Sequence, residues 1–301
     1  AVTITGDSVT VGSTNLVAEI GNKQPQNVVK GLTALEAYTG VADTVIVSDP
    51  DTSGVWNRTT GLAVDYGTVV TNTGTGTVFQ RSFVGAVNVR WFGAKGDGVT
   101  DDRNAFQRAL NAANAAETSV YVPAGTYIIY ACPAHSPVTS GRENLILKGC
   151  TGIFGDGPDN TVIRSPLPPD IVGTNSTSYT FTGMLAFNGT TNDVTVTTVA
   201  GYPWNGKQTL ISVYSGNPFI TDIKFDGCWS DTDATINEIV NIGSSESEFG
   251  YYVTIAIPGG RVERCEFINT PGSAMTGLSA TDGMTIADNT FTEWGDRKSV
   301  V

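Results

Sequence analysis

The loop FGAKGDGVTDD, Phe92–Asp102, is the first stretch of the chain whose residue types suggest ligand chemistry. A glycine loop that leads into a helix can hold a phosphate, but this one matches neither G-x-G-x-x-G nor G-x-x-x-x-G-K-[ST]. Two acids, Asp101 and Asp102, would begin the helix and would repel phosphate. Together with Asp97 they also lack the spacing and the closing glutamate of a calcium loop. The loop is therefore interpreted as scaffolding.

Cysteine and histidine are too sparse to suggest a metal site or a nucleophile–histidine pair. The four cysteines contain no C-x-x-C pair, and we predict neither a zinc site nor any cofactor. Cys228 and Cys265 lie in apolar strand patterns and are expected to be buried thiols. The single histidine, His135, lies in the proline-bounded loop ACPAHSPV, where a Ser-His-Asp arrangement is not expected.

Two local patterns flank the glycine loop. Val87–Phe92 is rich in strand-forming residues, and after the loop apolar residues recur at helical spacing. The apolar stripe consists of Phe106, Ala109, Leu110 and Ala113. Thr100 or Asp101 would cap this helix, with Asp101 and Asp102 on its first turn. Replacing Asp102 by alanine is then expected to cost about 1 kcal/mol or less.

Short strands separated by glycine turns follow the helix. They are SVYVPAGTYII, which is broken by a Pro-Ala-Gly turn, then NLILKGCTGIFGDG and NTVIR. This order resembles the entrance of the pectate-lyase-type right-handed β-helix found in bacteriophage tailspike depolymerases. The resemblance implies a mainly β fold: a right-handed parallel β-helix with an N-terminal capping helix, preceded by a small β-rich module with one short helix. It spans roughly Val87–Glu293.

The same resemblance implies a function. A phage tailspike is a receptor-binding protein that recognises and cleaves host surface polysaccharide, as a glycoside hydrolase or a polysaccharide lyase. It is a homotrimer in the virion tail, assembled in the host cytoplasm and joined to other tail proteins through its N-terminal module. Because the entrance motif also occurs without sugar-cleaving activity, a non-catalytic structural or adaptor protein of the tail is the alternative. A secreted pectate-lyase-like enzyme is a third.

Composition agrees with a β-rich chain and excludes some partners. Charged residues make up only 15% of the chain, and 35 of its 301 residues are glycine. This composition suits short strands joined by tight turns. The net charge of −12 disfavours nucleic acid and anionic membranes as partners. No apolar stretch approaches the roughly 20 residues of a membrane span, and the start AVTITGDSVT has no signal-peptide pattern.

The chain is predicted to divide into a module of residues 1–86, which anchors or connects the spike, and a β-helix domain of residues 87–301. In the first part VTITGDSVTVG predicts a hairpin, while DTVIVSD and GTVVTNTGTGTVFQRSF predict strands. NVVKGLTALEAYTG predicts a short helix that Asn27 caps and Gly40 ends. No terminal cap follows TEWGDRKSVV, so either the natural chain is expected to continue or another subunit or protein is expected to cover the end of the solenoid.

Three segments of the second part repeat one pattern: ITDIKF, VERCEF and IADNTF. Each has an apolar residue first and phenylalanine sixth, which is typical of stacked solenoid turns. The last two segments, starting at Val262 and Ile286, are one turn apart. The longer interval from Ile220 to Val262 would hold two turns, or one turn with an insertion. A further insertion is expected between Pro166 and Leu210.

Side-chain alternation within these repeats selects the candidate site. The first and sixth residues can both face the core only if each segment bends near its third residue. The fourth residues then point inward: Ile223, Cys265 and Asn289. The fifth residues point outward and stack: Lys224, Glu266 and Thr290. A surface ion pair between Lys224 and Glu266 is one interpretation.

A sugar-cleaving groove is the other interpretation of this outward face. Polysaccharide hydrolysis needs two acids roughly 5 to 9.5 Å apart, and elimination needs a base with a neutralising cation. Glu266 and Asp226 are the candidate catalytic residues. Lys224, Trp229 and Trp294 are the candidate substrate-binding residues, because a cation and aromatic rings can hold a sugar chain.

Overall fold

A computed structural model describes residues 27–129, 152–166, 219–228, 260–270 and 285–294, together with the backbone of further short strands. The chain forms two compact units, Ala1–Val84 and Gly85–Val301.

The first unit contains two sheets. A three-stranded antiparallel sheet consists of β1 (Val2–Thr5), β2 (Ser8–Val11) and β3 (Thr14–Asn15). A five-stranded sheet, in the order β4-β5-β6-β8-β7, consists of β4 (Val28–Val29), β5 (Thr44–Val47), β6 (Gly54–Thr59), β7 (Val69–Thr71) and β8 (Val78–Ser82). The predicted hairpin is confirmed, because Thr5 pairs with Ser8 across the Gly-Asp turn.

One face of the five-stranded sheet packs with helix α1 (Gly31–Glu36) around a small core. The core residues are Leu35, Val45, Val47, Trp56, Val70 and Phe79. Arg81 is buried among them, with its guanidinium 4.6 Å from the Trp56 ring. It donates hydrogen bonds to the carbonyl oxygens of Thr52, Ser53 and Gly67, which satisfies most of its donors.

The helix of this unit is shorter than predicted, and both of its predicted boundaries are wrong. Val28 and Val29 pair with β5, which takes them out of the helix. Asn27 does not cap it, since its side-chain amide donates to the Thr44 carbonyl instead. The helix ends at Glu36, before Gly40. Tertiary pairing therefore overrides the local helical pattern here.

The second unit is a parallel solenoid of three sheets. Sheet A, in order along the solenoid, consists of β9 (Val87–Asn88), β11 (Val120–Tyr121), β14 (Ile153–Phe154), β19 (Phe219–Thr221), β22 (Arg261–Glu263) and β25 (Thr285–Ala287). Sheet B consists of β10 (Asp97–Asp101), β12 (Gly125–Ile128), β15 (Thr161–Arg164), β20 (Lys224–Asp226), β23 (Glu266–Thr270) and β26 (Thr290–Trp294). Sheet C consists of β13 (Glu143–Leu147), β18 (Thr209–Val213), β21 (Tyr251–Ile255) and β24 (Ser273–Gly277).

Successive turns of this unit visit sheets A, B and C in the same order, and neighbouring strands within each sheet are parallel. The fold is mainly β, with the parallel β-helix architecture that the sequence predicted. The direct pairing of β19 with β22 shows that the long interval holds a single turn. A second predicted insertion is confirmed by β16 (Ser178–Leu185) and β17 (Thr191–Thr197), which pair with each other as an antiparallel hairpin.

Helix α2 (Arg103–Ala115) packs against the first strands of sheet A, and its predicted apolar stripe is buried. The strand predicted before the loop is shorter than expected. Only Val87–Asn88 is extended, because the Asn88 side chain accepts the Arg90 amide and starts a 3-10 helix, Val89–Phe92. Gly93 ends this helix with φ 97°, a left-handed conformation that glycine adopts without strain.

The three repeated segments stack as predicted. Ile220, Val262 and Ile286 are register partners. The three phenylalanines stack face to face, with ring centroids 5.1 Å apart between Phe225 and Phe267 and 5.3 Å apart between Phe267 and Phe291. The predicted bends are present, since all three third-position residues have positive φ. They are Asp222 at 62°, Arg264 at 54° and Asp288 at 55°.

Candidate functional site

The outer face of sheet B brings Lys224 and Glu266 together. They are register partners on the adjacent strands β20 and β23, and Lys224 Nζ lies 2.6 Å from Glu266 Oε2. Each side chain is 22% exposed. The contact is an ion pair between neighbouring turns, which agrees with the structural interpretation of these residues.

Asp226 is the next outward residue along β20, and its carboxylate joins three turns of the solenoid. Its Oδ2 accepts the Arg164 Nε hydrogen of β15 at 2.9 Å. Its Oδ1 accepts the Asn269 side-chain amide of β23 and the Cys228 backbone amide, each at 2.9 Å. Only 8% of Asp226 is exposed, as expected for a carboxylate whose charge is matched by a cation and several donors.

Three of the five predicted site residues share one face in the described part of the structure. Lys224, Asp226 and Glu266 share the outer face of sheet B, with Asp226 paired to Ile268 and thus diagonal to Glu266. Trp294 ends β26, and its backbone pairs with Thr270. Trp229 lies outside the described residues. The cluster on this face therefore consists of two carboxylates and Lys224, with Arg164 as a second cation.

This arrangement has a definite chemical capacity. Both carboxylates are engaged by cations, so the face carries two neutralised pairs on neighbouring turns. For Glu266 to act as an acid or base, its carboxylate must leave the ion pair with Lys224 and contact a substrate group instead. Lys224 and Arg164, once released, would neutralise carboxylates of an acidic sugar chain.

Two further clusters were missed by sequence reasoning. At the corner between sheets A and B, Arg264 donates two hydrogen bonds of 2.7 Å to Asp222 on the preceding turn. This bidentate pair lowers the pKa of Asp222 and raises the pKa of Arg264. The polar third position of each repeat was a signal for it. On the outer face of sheet A, Tyr121 stacks on Phe154 at 5.3 Å, and Phe154 lies 6.2 Å from Phe219.

The described thiols are poor nucleophiles. Cys265 is buried, as predicted, whereas Cys228 is partly exposed. Burial raises the pKa of each thiol to about 12. Both therefore stay protonated at neutral pH. Cys132, Cys150 and His135 lie outside the described residues.

Within the ranges that the structure describes, His, Cys, Asp and Glu side chains do not gather in a group of three that could hold a metal ion. No helix in the same ranges is long and apolar enough to cross a membrane.

Comparison with known proteins defines the family. A profile of the family described as "Rhamnogalacturonase A/epimerase, pectate lyase-like" matches residues 86–254, more than half of the chain. The chain belongs to this family. The match begins in sheet A at the solenoid entrance and extends into β21, so the pectate-lyase-like solenoid is the part of the molecule that carries the family relationship.

Two relatives are similar to this chain over short regions. Mannuronan C5-epimerase AlgE4 of Azotobacter vinelandii is 46% identical over 78 residues, which is 26% of this chain and 13% of the epimerase. The pre-neck appendage protein of Bacillus phage phi29 is 39% identical over 66 residues, which is 21% of this chain and 7% of that protein. The chain thus spans a small part of the length of these relatives.

Among solved structures, the chain is similar to the enzymatically active domain of tailspike protein 4 from bacteriophage CBA120. The alignment covers 92% of this pectate-lyase-like chain and 35% of the tailspike chain. The TM-score is 0.41 at 13% sequence identity.

Proposed function

We propose that this chain is part of a bacteriophage tailspike whose β-helix binds and cleaves a host surface polysaccharide. The observation that supports this most strongly is the family match, which runs along the solenoid from residue 86 to residue 254. The family description and the epimerase relative both name polysaccharide chemistry, and the phi29 relative names a phage appendage. A tail location, a homotrimeric state and attachment through residues 1–86 belong to the same proposal.

Within this proposal Glu266 and Asp226 are the candidate catalytic carboxylates, and Lys224, Trp229 and Trp294 are the candidate sugar-binding residues. The support is the shared outer face of sheet B, where Lys224, Asp226 and Glu266 lie on adjacent turns. The cations Arg164 and Lys224 suit a polysaccharide with carboxylate groups, whose charge would otherwise be repelled by an acidic chain.

The test is release of oligosaccharides from purified capsule, followed by size-exclusion chromatography. We expect Glu266→Gln and Asp226→Asn each to lower the rate about 100-fold or more, as loss of an acid or base does. Glu263→Gln on β22, where the carboxylate also contacts arginine, is the matched control and should keep the wild-type rate.

The folded state must be checked in each variant, because both substitutions remove an ion pair. Glu266→Gln removes a partly exposed pair, which contributes less than about 1 kcal/mol, so its melting temperature should change little. If both variants released oligosaccharides at the wild-type rate, Glu266 and Asp226 would not be the catalytic residues. Capsule binding without release by the wild-type chain would favour the non-catalytic adaptor.

A further inference from the structure

The outer face of the five-stranded sheet in the first unit carries a partly exposed apolar row. Val28, Ile46 and Val55 are register partners on β4, β5 and β6, on the face opposite the core. Ile46 is 43% exposed and Val55 is 42% exposed. The adjacent residues in the chain, Val45 and Trp56, pair with each other, point inward and are fully buried. A row of β-branched side chains on a sheet face favours a covering element.

The N-terminal hairpin has a matching apolar face. In its antiparallel register Val2 pairs with Val11 and Ile4 pairs with Val9, so these four residues share one face. The opposite face is polar, since Thr3 pairs with Thr10, Thr5 pairs with Ser8, and Asn15 of β3 pairs with Thr10. A small hairpin with one apolar face is marginally stable alone and needs another element to cover that face.

The connection between the two sheets favours their contact. Residues 16–26 join β3 to Asn27, and the chain then enters β4 directly. When extended, this connection reaches about 36 Å, whereas packed sheets lie only about 10 Å apart. β4 is the edge strand of the five-stranded sheet, and the apolar row begins on it. The tether is therefore long enough for the hairpin to reach the face of the sheet where the row lies.

We propose that the hairpin β1–β2 docks its valine–isoleucine face on the Val28–Ile46–Val55 row of its own chain, which closes the first unit as a two-layer β-sandwich. The contact is apolar against apolar, and neither face places a charged residue in it. The second layer covers the open face of the sheet, as aligned sheets do in β-sandwiches. This inference concerns residues 1–84 and does not depend on the proposed polysaccharide activity.

A double-mutant cycle in the full chain tests the docking. Ile46→Asp and Val9→Asp should each lower the urea midpoint of the first unit, and the second substitution should have less than half its effect when the first is present. Thr10→Asp, on the opposite face of the hairpin, is the matched control. It should shift the midpoint equally with and without Ile46→Asp. Additive shifts for Ile46 and Val9 would overturn the proposal.

Cysteine pairing identifies the occupant independently of stability. Ile46 and Val55 are exposed enough that a variant at either position keeps the folded sheet. Val9→Cys with Val55→Cys should form a disulfide within one chain, found by peptide mass spectrometry, whereas Thr10→Cys with Val55→Cys should not. A disulfide found only between chains would assign the row to a second copy, and no disulfide would leave the row uncovered. Either result would overturn the proposal.

Discussion

At the scale of single residues, two carboxylates of the entrance loop, Asp97 and Asp102, differ in burial and in the backbone amides that they accept. Asp97 is exposed, and its Oδ1 accepts the backbone amides of Val99 and Thr100. Asp102 is buried at 1% exposure, and its two oxygens accept the amides of Lys95 and Gly96 at 2.7 and 3.1 Å. Asp102 occupies the N-cap position of α2, but its side chain makes no cap hydrogen bond. It fixes the glycine loop instead.

The stability cost of Asp102→Ala should therefore exceed the small cap loss that the sequence predicts. Two amides of the loop lose their acceptor, and each such group costs about 1–3 kcal/mol when it is left unsatisfied. We expect a loss of roughly 2 kcal/mol or more in urea unfolding. Asp101→Ala is the control, because this exposed carboxylate accepts the Arg103 amide and its loss should cost about 1 kcal/mol. Equal losses would contradict the assignment.

The pKa values of Asp97 and Asp102 should shift in opposite directions from 3.8, the ordinary pKa of an aspartate. Amides of Thr100 and Val99 lower the pKa of Asp97 to about 2, whereas burial raises the pKa of Asp102. The contribution of Asp97 to stability is present above pH 3.8 and is lost as the pH falls through about 2. Protonation of Asp102 adds stability as the pH falls through its raised pKa. Carboxyl carbon shifts, assigned with Asp97→Asn and Asp102→Asn, would show this order; coincident titrations would contradict it.

At the scale of elements, the stacked repeats of the solenoid give each turn its stability. Phe267 lies between Phe225 and Phe291, and its ring is fully buried. The left-handed corner residues keep each phenylalanine facing inward, and the Asp222–Arg264 pair joins two of those corners. The turns therefore depend on one another for their cores.

Phe267→Ala should destabilise the solenoid by about 3–5 kcal/mol, the usual cost of removing a buried aromatic ring. Phe291→Ala is the matched control. Phe291 occupies the equivalent position on β26 and stacks on Phe267, but it is partly exposed, so its replacement should cost less. Urea unfolding of both variants measures the difference, and equal costs would mean that the stack is not what holds these turns together.

At the scale of the whole molecule, we predict a homotrimer. Several apolar side chains are open to solvent in the described ranges, including Tyr66 at 56% and Val99 at 76%. Association in a closed, symmetric oligomer would cover such groups. Light scattering at micromolar concentration should give three times the mass of one chain. A monomer under these conditions would remove the prediction, and because the chain carries a net charge of −12 the measurement should be repeated at higher salt.

The sequence by itself determined the patterns that near neighbours control. The glycine loop before an amphipathic helix, the hairpin at Gly-Asp, the repeated hexapeptides and the bend at their third residue all follow from side-chain alternation and turn chemistry within a few residues. These features are present in the structure. The outward direction of Lys224 and Glu266 followed from the same alternation, and their contact is confirmed.

Only the tertiary structure decided which distant residues meet. Arg164 and Asp226 are 62 residues apart, and Asp222 and Arg264 are 42 apart, so their contacts depend on how many residues each turn holds. The pairing of β19 with β22 set that number, which the sequence had left open. Strand pairing also removed Val28 and Val29 from a predicted helix, and Asp102, predicted to be a charge on the first turn of a helix, is a buried anchor of the glycine loop. Local propensities amount to a few tenths of a kcal/mol per residue, whereas pairing and burial contribute more, so tertiary contacts prevail where the two conflict.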